Sequence, residues 1–272
     1  MSEGSDNRRA LVTGASSGIG AAFTRKLGQE GFDLIVVARR RERLEALAKE
    51  LHRDAGVAVE VVAADLTDSD QLRQLEGLVA EGDALELLVN NAGFGGYMPF
   101  VELDPDIAEA LIRVHVLGLT RLTRAALPRM VETGRGAIIN VASLLAFTGS
   151  MPPRPLPHRA TYASAKAFMV TFTQALANEL DQTGVRLQVL CPGLVRTEFH
   201  EVAGFDRAQV PFPPMEAEEV VDASLKGLEL GEVICVPGLE DREILEHAAD
   251  KQRTIFQTAI GGQLAGRYAA PR

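Results

Sequence analysis

Residues 9–20 read RALVTGASSGIG: a short apolar run that breaks into glycine and serine and then opens a helical pattern. A strand feeding such a turn and then a helix gathers unpaired backbone N–H groups at one point, which favours an anion such as a pyrophosphate. The glycines fall as Gly14-x-x-x-Gly18-x-Gly20, with Ser16, Ser17 and Ile19 among them. This is not the more widely quoted Gly-x-Gly-x-x-Gly order. A position between strand and helix is what makes the turn a candidate phosphate cradle.

Outward from this turn, β-branched runs alternate with longer helical patterns. Strands are predicted over Arg9–Val12, Asp33–Ala38, Val57–Ala63, Leu85–Asn90, Gly136–Ser143, Val185–Leu190 and Glu232–Val236. Helices are predicted over Ile19–Glu30, Arg41–Asp54, Ser69–Glu81, Pro105–Glu132, Thr161–Gln182 and Glu216–Glu229. Runs such as LIVVA and LELLV are apolar throughout, as expected of parallel strands covered on both faces. The expected fold is therefore α/β: a doubly wound, Rossmann-type parallel sheet of seven strands flanked by helices. One domain is expected over 1–272, with a core of about 8–240, a C-terminal segment 241–272 and a ligand crevice at the strands' carboxyl ends. Two stretches break the alternation, PPRPLPH at 152–158 and AGFDRAQVPFPP at 203–214. Proline excludes regular helix or central strand there, so loops over 144–160 and 194–215 are expected to frame the crevice.

Composition narrows the class. Hydrophobic residues make up 46% of the 272 and charged residues 24%, enough for a substantial core. A net charge of −9 argues against nucleic acid or an anionic membrane surface as partner. Two cysteines, Cys191 and Cys235, make no disulfide framework and read as small buried residues. No signal-like N-terminal core and no run of about 18 apolar residues is present, so a cytoplasmic protein without a membrane span is expected. No metal site is expected.

The second predicted strand ends in Ala38-Arg39-Arg40, close to twenty residues beyond the glycine turn. An acid there would hold a ribose 2′-hydroxyl and repel a 2′-phosphate, whereas arginines offer the phosphate charge-assisted hydrogen bonds. The sequence thus predicts NADP(H) as cofactor, with Arg39 the main contact and Arg40 in support.

Tyr162 and Lys166 stand four apart in ATYASAKAF, on one face of a predicted helix. A phenol titrates near pH 10. A cation at about 4 Å, with an effective dielectric of about 20, is worth about 4 kcal/mol. At about 1.36 kcal/mol per unit, that would lower the phenol by up to about three units. Lysine is therefore expected to tune tyrosine into an acid/base.

Together these motifs resemble the short-chain dehydrogenase/reductase family, in its classical branch, over about residues 8–240. Thr13–Gly20 is similar to the family's cofactor turn, Asp65-Leu66 to its adenine-contacting position, and Asn90-Asn91-Ala92-Gly93 to its signature after the fourth strand. Ser143 resembles the catalytic serine, Tyr162 and Lys166 the catalytic pair, and Pro192-Gly193 with Val195 and Thr197 the segment lining the nicotinamide. The resemblance implies hydride exchange between NADPH and a carbonyl carbon, Tyr162 passing the proton and Ser143 holding the carbonyl oxygen. Lys166 would lower the tyrosine pKa and bind the nicotinamide ribose. Homotetramers or homodimers through the long helices are implied as well.

Two features depart from the family pattern. His115 stands where a fourth catalytic member, asparagine, is usual; its backbone role could survive, and an imidazole could also relay protons. The gap from Ser143 to Tyr162 is several residues longer than usual, the surplus falling at 152–158. Pocket candidates are apolar: Phe94, Met98, Leu144, Leu145, Phe147, Phe199, Phe205 and Phe212. A hydrophobic ketone or secondary alcohol is therefore the expected small-molecule substrate. Two alternatives stay open: a β-ketoacyl thioester held by Arg154, Arg159, Arg196 and His200, and a non-catalytic NADP-binding sensor or scaffold.

Overall fold

Seven parallel strands hydrogen-bond in the order β3-β2-β1-β4-β5-β6-β7. They are β1 (Arg9–Thr13), β2 (Asp33–Ala38), β3 (Val59–Ala63), β4 (Leu87–Asn90), β5 (Gly136–Val141), β6 (Val185–Leu190) and β7 (Ile234–Cys235). This computed structural model describes residues 8–154, 156–199 and 212–268. His200 and Phe205, and most of the irregular stretch 203–214, lie outside the described residues.

The helices are α1 (Gly18–Gln29), α2 (Arg41–Ala55), α3 (Ser69–Glu81), α4 (Pro105–Ile112), α5 (Leu119–Thr133), α6 (Ala160–Glu179) and α7 (Ala217–Glu229). Strand side chains alternate between two cores, as the period of two requires. Ala10, Val12, Leu34 and Val36 join Phe23, Leu27, Leu51 and Val220 on one face. Leu11, Ile35 and Val37 join Leu72, Leu75, Leu122 and Met130 on the other. Both faces are covered, which explains the continuous apolar runs. Strand order reverses between β1 and β4, so a crevice opens where their carboxyl ends diverge.

Several elements differ from the sequence reading: β3 and β4 begin two residues later, at Val59 and Leu87, and β5 ends at Val141. The helix expected over Pro105–Glu132 is interrupted by a π-helical segment, Arg113–Gly118, and the widened turn falls at His115. β7 is only two residues long. A further helix, α8 (Glu243–Ala259), was not predicted. Met1–Pro237 and Gly238–Arg272 form separate compact units, and α8 belongs to the second.

A polar brace lies beneath the crevice. The Asn90 amide donates to Asn140 Oδ1 at 2.9 Å and to Thr123 Oγ1 at 3.2 Å. The Asn140 amide donates to Thr173 Oγ1 at 2.9 Å, and Thr173 in turn donates to Met169 O at 2.7 Å. All four polar side chains are buried. They tie β4, β5, α5 and α6, the elements that carry the site. Asn140→Ala leaves buried groups unpaired and is expected to lower unfolding free energy by about 1–3 kcal/mol. Urea denaturation measures this; an unchanged midpoint would show that the brace does not couple these elements.

Candidate active site

β5 delivers Ser143 two residues beyond its end, and α6 delivers Tyr162 and Lys166 in its first turns. Ser143 caps the short 3₁₀ turn Leu144–Phe147, its Oγ accepting from Leu145 N at 3.2 Å. The Tyr162 hydroxyl is hydrogen-bonded to Ser143, so the serine and tyrosine named by the sequence do meet. Tyr162 and Lys166 are both buried. The lysine ammonium lies 5.6 Å from the tyrosine ring centroid and donates to Val141 O at 2.8 Å.

The electrostatics correct one expectation. Burial dominates at Tyr162 and pushes its phenol up to about 12, while hydrogen bonds from Tyr97 and Ser143 work against that rise. Lys166 is itself brought down to about 7 by burial. Its ammonium is bonded to a carbonyl, and burial is the largest influence on the tyrosine, with the two hydroxyl contacts opposing it.

Tyr97 is the residue the sequence reading missed. Its ring packs edge-on against Tyr162 with centroids 5.3 Å apart, and its hydroxyl is hydrogen-bonded to the Tyr162 hydroxyl. Burial pushes the Tyr97 phenol far above its ordinary pKa, and the contact with Tyr162 adds to that rise while opposing the rise at Tyr162. Its position four residues past the Asn90–Gly93 signature, in a chain with three tyrosines, was the available signal.

His115 is buried beneath Tyr162, the rings perpendicular at 5.5 Å. Its Nε2 lies 2.9 Å from Phe94 O; a carbonyl only accepts, so Nε2 carries the proton. Nδ1 is then an acceptor, and it has no hydrogen-bond partner among the described residues. Burial, with Lys166 adding to it, holds the imidazole well below its ordinary pKa. The ring is thus a neutral wedge, with no direct hydrogen bond to Tyr162 or Lys166 that would make it a relay. A Cβ on Gly93 would lie 2.1 Å from His115 Cε1, so glycine at 93 is what admits the imidazole.

The glycine turn suits a dinucleotide phosphate. Ser17, at the N-cap of α1, makes no side-chain capping bond, and no acid sits in the first helical turn. The N-terminal N–H groups are therefore left for an anion. Gly14 and Gly18 have φ of +68° and +55°, and a Cβ on Gly20 would lie 2.3 Å from Gly14 O. Asn91 locks the turn to the end of β4: its amide donates to Thr13 O at 2.9 Å, while Thr13 Oγ1 accepts from the Asn91 and Ala92 backbones.

The two arginines are placed differently. Arg39 points to solvent, 3.9 Å from Asp65. Arg40 reaches the turn, donating to Ser16 Oγ at 3.0 Å and Ser17 Oγ at 2.7 Å. The Leu66 side chain is buried in the core, which leaves only its backbone for a cofactor. Leu144 N donates to Pro192 O at 2.8 Å, joining the serine turn to the Pro192-Gly193 segment. Ile19 packs against the core, and Val195 is buried and pairs with Met215. Thr197 approaches Gly18. Phe94 and Phe199 stand by His115 and Tyr162 respectively, whereas Met98, Leu144, Phe147 and Phe212 are exposed.

Loop 144–160 is held by Arg159, whose buried guanidinium donates to Thr148 Oγ1 at 2.7 Å, Thr148 O at 2.8 Å, Met151 O at 2.9 Å and Pro157 O at 3.0 Å. Both cysteines are buried, and burial raises the Cys191 thiol to about 12. No cluster of three metal-ligating side chains occurs among the described residues. Nor is any helix there long and apolar enough to cross a membrane.

The buried imidazole makes a prediction about acid stability. With the folded pKa of His115 below 6.5, the unfolded state takes up the proton first as pH falls, so stability drops below pH 6.5. His115→Asn is expected to remove up to about 1.4 kcal/mol per pH unit from that slope. Denaturation from pH 8 to 5 measures it; parallel curves would mean that the ring does not stay neutral.

The family model for short chain dehydrogenases matches residues 8–207. An uncharacterized oxidoreductase of Myxococcus xanthus is 37% identical over 226 residues, 83% of this chain and 85% of its own. A short-chain dehydrogenase from Sphingobium yanoikuyae, solved in complex with NADPH, superposes with a TM-score of 0.90 at 35% identity, over 96% of this chain and 100% of its own. The bulky-bulky ketone specific alcohol dehydrogenase of Comamonas testosteroni gives 0.87 at 28% identity, over 98% and 100%. With its glycine turn, serine, tyrosine and lysine in place, this chain belongs to the short-chain dehydrogenase/reductase family of oxidoreductases.

Proposed function

We propose that the chain is an NADP(H)-dependent carbonyl reductase, or alcohol dehydrogenase in reverse, acting on hydrophobic ketones and secondary alcohols. The observation that carries this reading is the buried Tyr162 hydroxyl, bonded to Ser143 and Tyr97 one turn ahead of Lys166. A bound nicotinamide supplies or accepts the hydride. Gly14, Ser16, Ser17, Gly18 and Gly20 would hold its pyrophosphate, Arg40 with Arg39 its 2′-phosphate, and Lys166 its ribose. Asp65, Ala92, Gly93, Gly193 and Thr197 border the same crevice.

The side chains then divide the work on the substrate. A phenol with a pKa near 12 keeps its proton throughout the neutral range, which suits the donor in ketone reduction. As Tyr162 gives that proton to the carbonyl oxygen, the Tyr97 hydroxyl stabilises the phenolate left behind, and the single Ser143 O–H is left for the substrate. Ser143 donates to the substrate oxygen as negative charge develops there. His115 packs beneath the tyrosine ring and keeps it in place.

Substrate class follows from what the surrounding cations do. Arg159 is consumed by loop carbonyls, and Arg196 pairs with Glu216 at 2.6 Å. Arg159 is therefore spent, which weakens the β-ketoacyl thioester alternative, whereas the half-exposed Arg196–Glu216 pair stays exchangeable. That the Comamonas alcohol dehydrogenase accepts bulky-bulky ketones supports the same class. An intact Ser143–Tyr162–Lys166 set speaks against a mere sensor. We further propose a cytoplasmic homodimer or homotetramer formed through the helices within 105–132 and 161–182.

NADPH absorbance against aryl ketones, aliphatic ketones, steroids and acyl thioesters tests the function. Turnover of apolar ketones is expected, and Tyr162→Phe should cut it by about 10²–10⁴-fold with NADPH binding intact. A flat trace with bound NADPH would sink the enzymatic reading. The groups facing the Tyr162 hydroxyl are Tyr97, Ser143, His115 and Lys166. Tyr97→Phe removes a donor and should move the alkaline limb of alcohol oxidation up by about one pH unit. Superimposable profiles would show that Tyr97 only fills space.

A further inference from the structure

Arg40 and Arg43, at the mouth of the glycine turn, already hold an anion of the chain's own. Arg40 Nη1 donates to Glu198 Oε2 at 3.1 Å, and Arg43 Nη1 lies 2.9 Å from both Glu198 oxygens. Arg40 spends its other nitrogens on Ser16 and Ser17. The two guanidinium groups hold the Glu198 carboxyl below the usual carboxylate range. All three side chains are about half exposed, so a solute can reach them.

Glu198 belongs to a segment that touches the crevice at three successive residues. The Thr197 methyl lies 3.0 Å from where a Cβ on Gly18 would stand, against the phosphate turn. Glu198 clasps the arginines. The Phe199 ring is 6.0 Å from that of Tyr162. One carboxylate thus fixes the spacing between the cofactor's phosphate end and the proton donor.

We propose that Glu198 is an internal stand-in for the cofactor's 2′-phosphate, displaced by a 2′-phosphorylated adenine nucleotide. Its release frees the segment bearing Phe199. This rests on the reading that the chain binds NADP(H). A phosphate carries about −1.5 to −2 charges and three acceptor oxygens, so it outcompetes a single carboxylate for two guanidinium forks. A ribose hydroxyl has neither advantage and leaves the Glu198 pairs intact. Arg43 becomes a third phosphate contact, and Glu198 a specificity-determining residue that acts by competition.

Calorimetric titration with adenosine 2′,5′-bisphosphate and with 5′-AMP tests this without turnover. Because exposed ion pairs are weak, Glu198→Gln should tighten the bisphosphate by only about three-fold and leave AMP unchanged. The chain contains no tryptophan, so Phe199→Trp provides a single emission reporter. Its emission should shift with the bisphosphate and not with AMP. Unchanged or weaker bisphosphate binding in Glu198→Gln, or a reporter that answers both nucleotides alike, overturns the displacement alone. Equal affinity of the parent protein for the two nucleotides overturns the NADP(H) reading with it.

Discussion

The withdrawal of the Tyr162 hydroxyl from water governs the rest of the site. Desolvation makes ionising that phenol costly, and burial also brings Lys166 down, to about 7. Under the proposed mechanism the tyrosine stays protonated until a substrate oxygen takes the proton. What makes the transfer feasible is a pair of hydroxyl donors, Tyr97 for the phenolate and Ser143 for the substrate oxygen. Such preorganised donors act most strongly where water is excluded.

Holding those donors requires a rigid base, and the sheet supplies one. Asn90 and Asn140 stand opposite each other on β4 and β5, and their amides reach Thr123 and Thr173 on the covering helices. Asn91 performs the same service at the phosphate end, where its amide bonds to the carbonyls of the turn. The Asn-Asn pair thus has a division of labour: one side chain points into the brace, the next into the cradle. Alternation along an extended backbone produces that division directly.

The strand–helix alternation, the glycine turn and the Tyr162–Lys166 pair are legible in the sequence because each rests on local chemistry: periodicity, φ > 0 at glycine, a fixed helical spacing; Ser143 comes from the family resemblance. What stayed hidden depends on long-range packing. Tyr97 looks like any loop aromatic until the fold brings it against Tyr162. The π segment at Arg113–Gly118 follows from lodging His115 against Gly93, a contact across the chain that no helical period reveals. Arg159 reads as a surface charge, although it is the staple of its loop. Helix α8 carries local signals as well, an acidic first turn and Gly261-Gly262 after its end.

The charges around the crevice share a pattern that bears on specificity. Arg159 is buried with four bonds to loop oxygens, Arg196 is paired with Glu216, and Arg40 and Arg43 are bridged by Glu198. At loop 144–160 Arg159 is consumed by loop oxygens, while the Arg196–Glu216 pair is half exposed. Recruiting Arg159 to a ligand would strip several buried oxygens of their donor, at a cost of about 1–3 kcal/mol for each group left unpaired. At the phosphate end the partner is a half-exposed carboxylate, which an incoming dianion can replace at little cost. The same residue type is thus locked at Arg159 and exchangeable where its partner is a half-exposed carboxylate, so an anion is received more readily at the glycine turn than by Arg159 in loop 144–160.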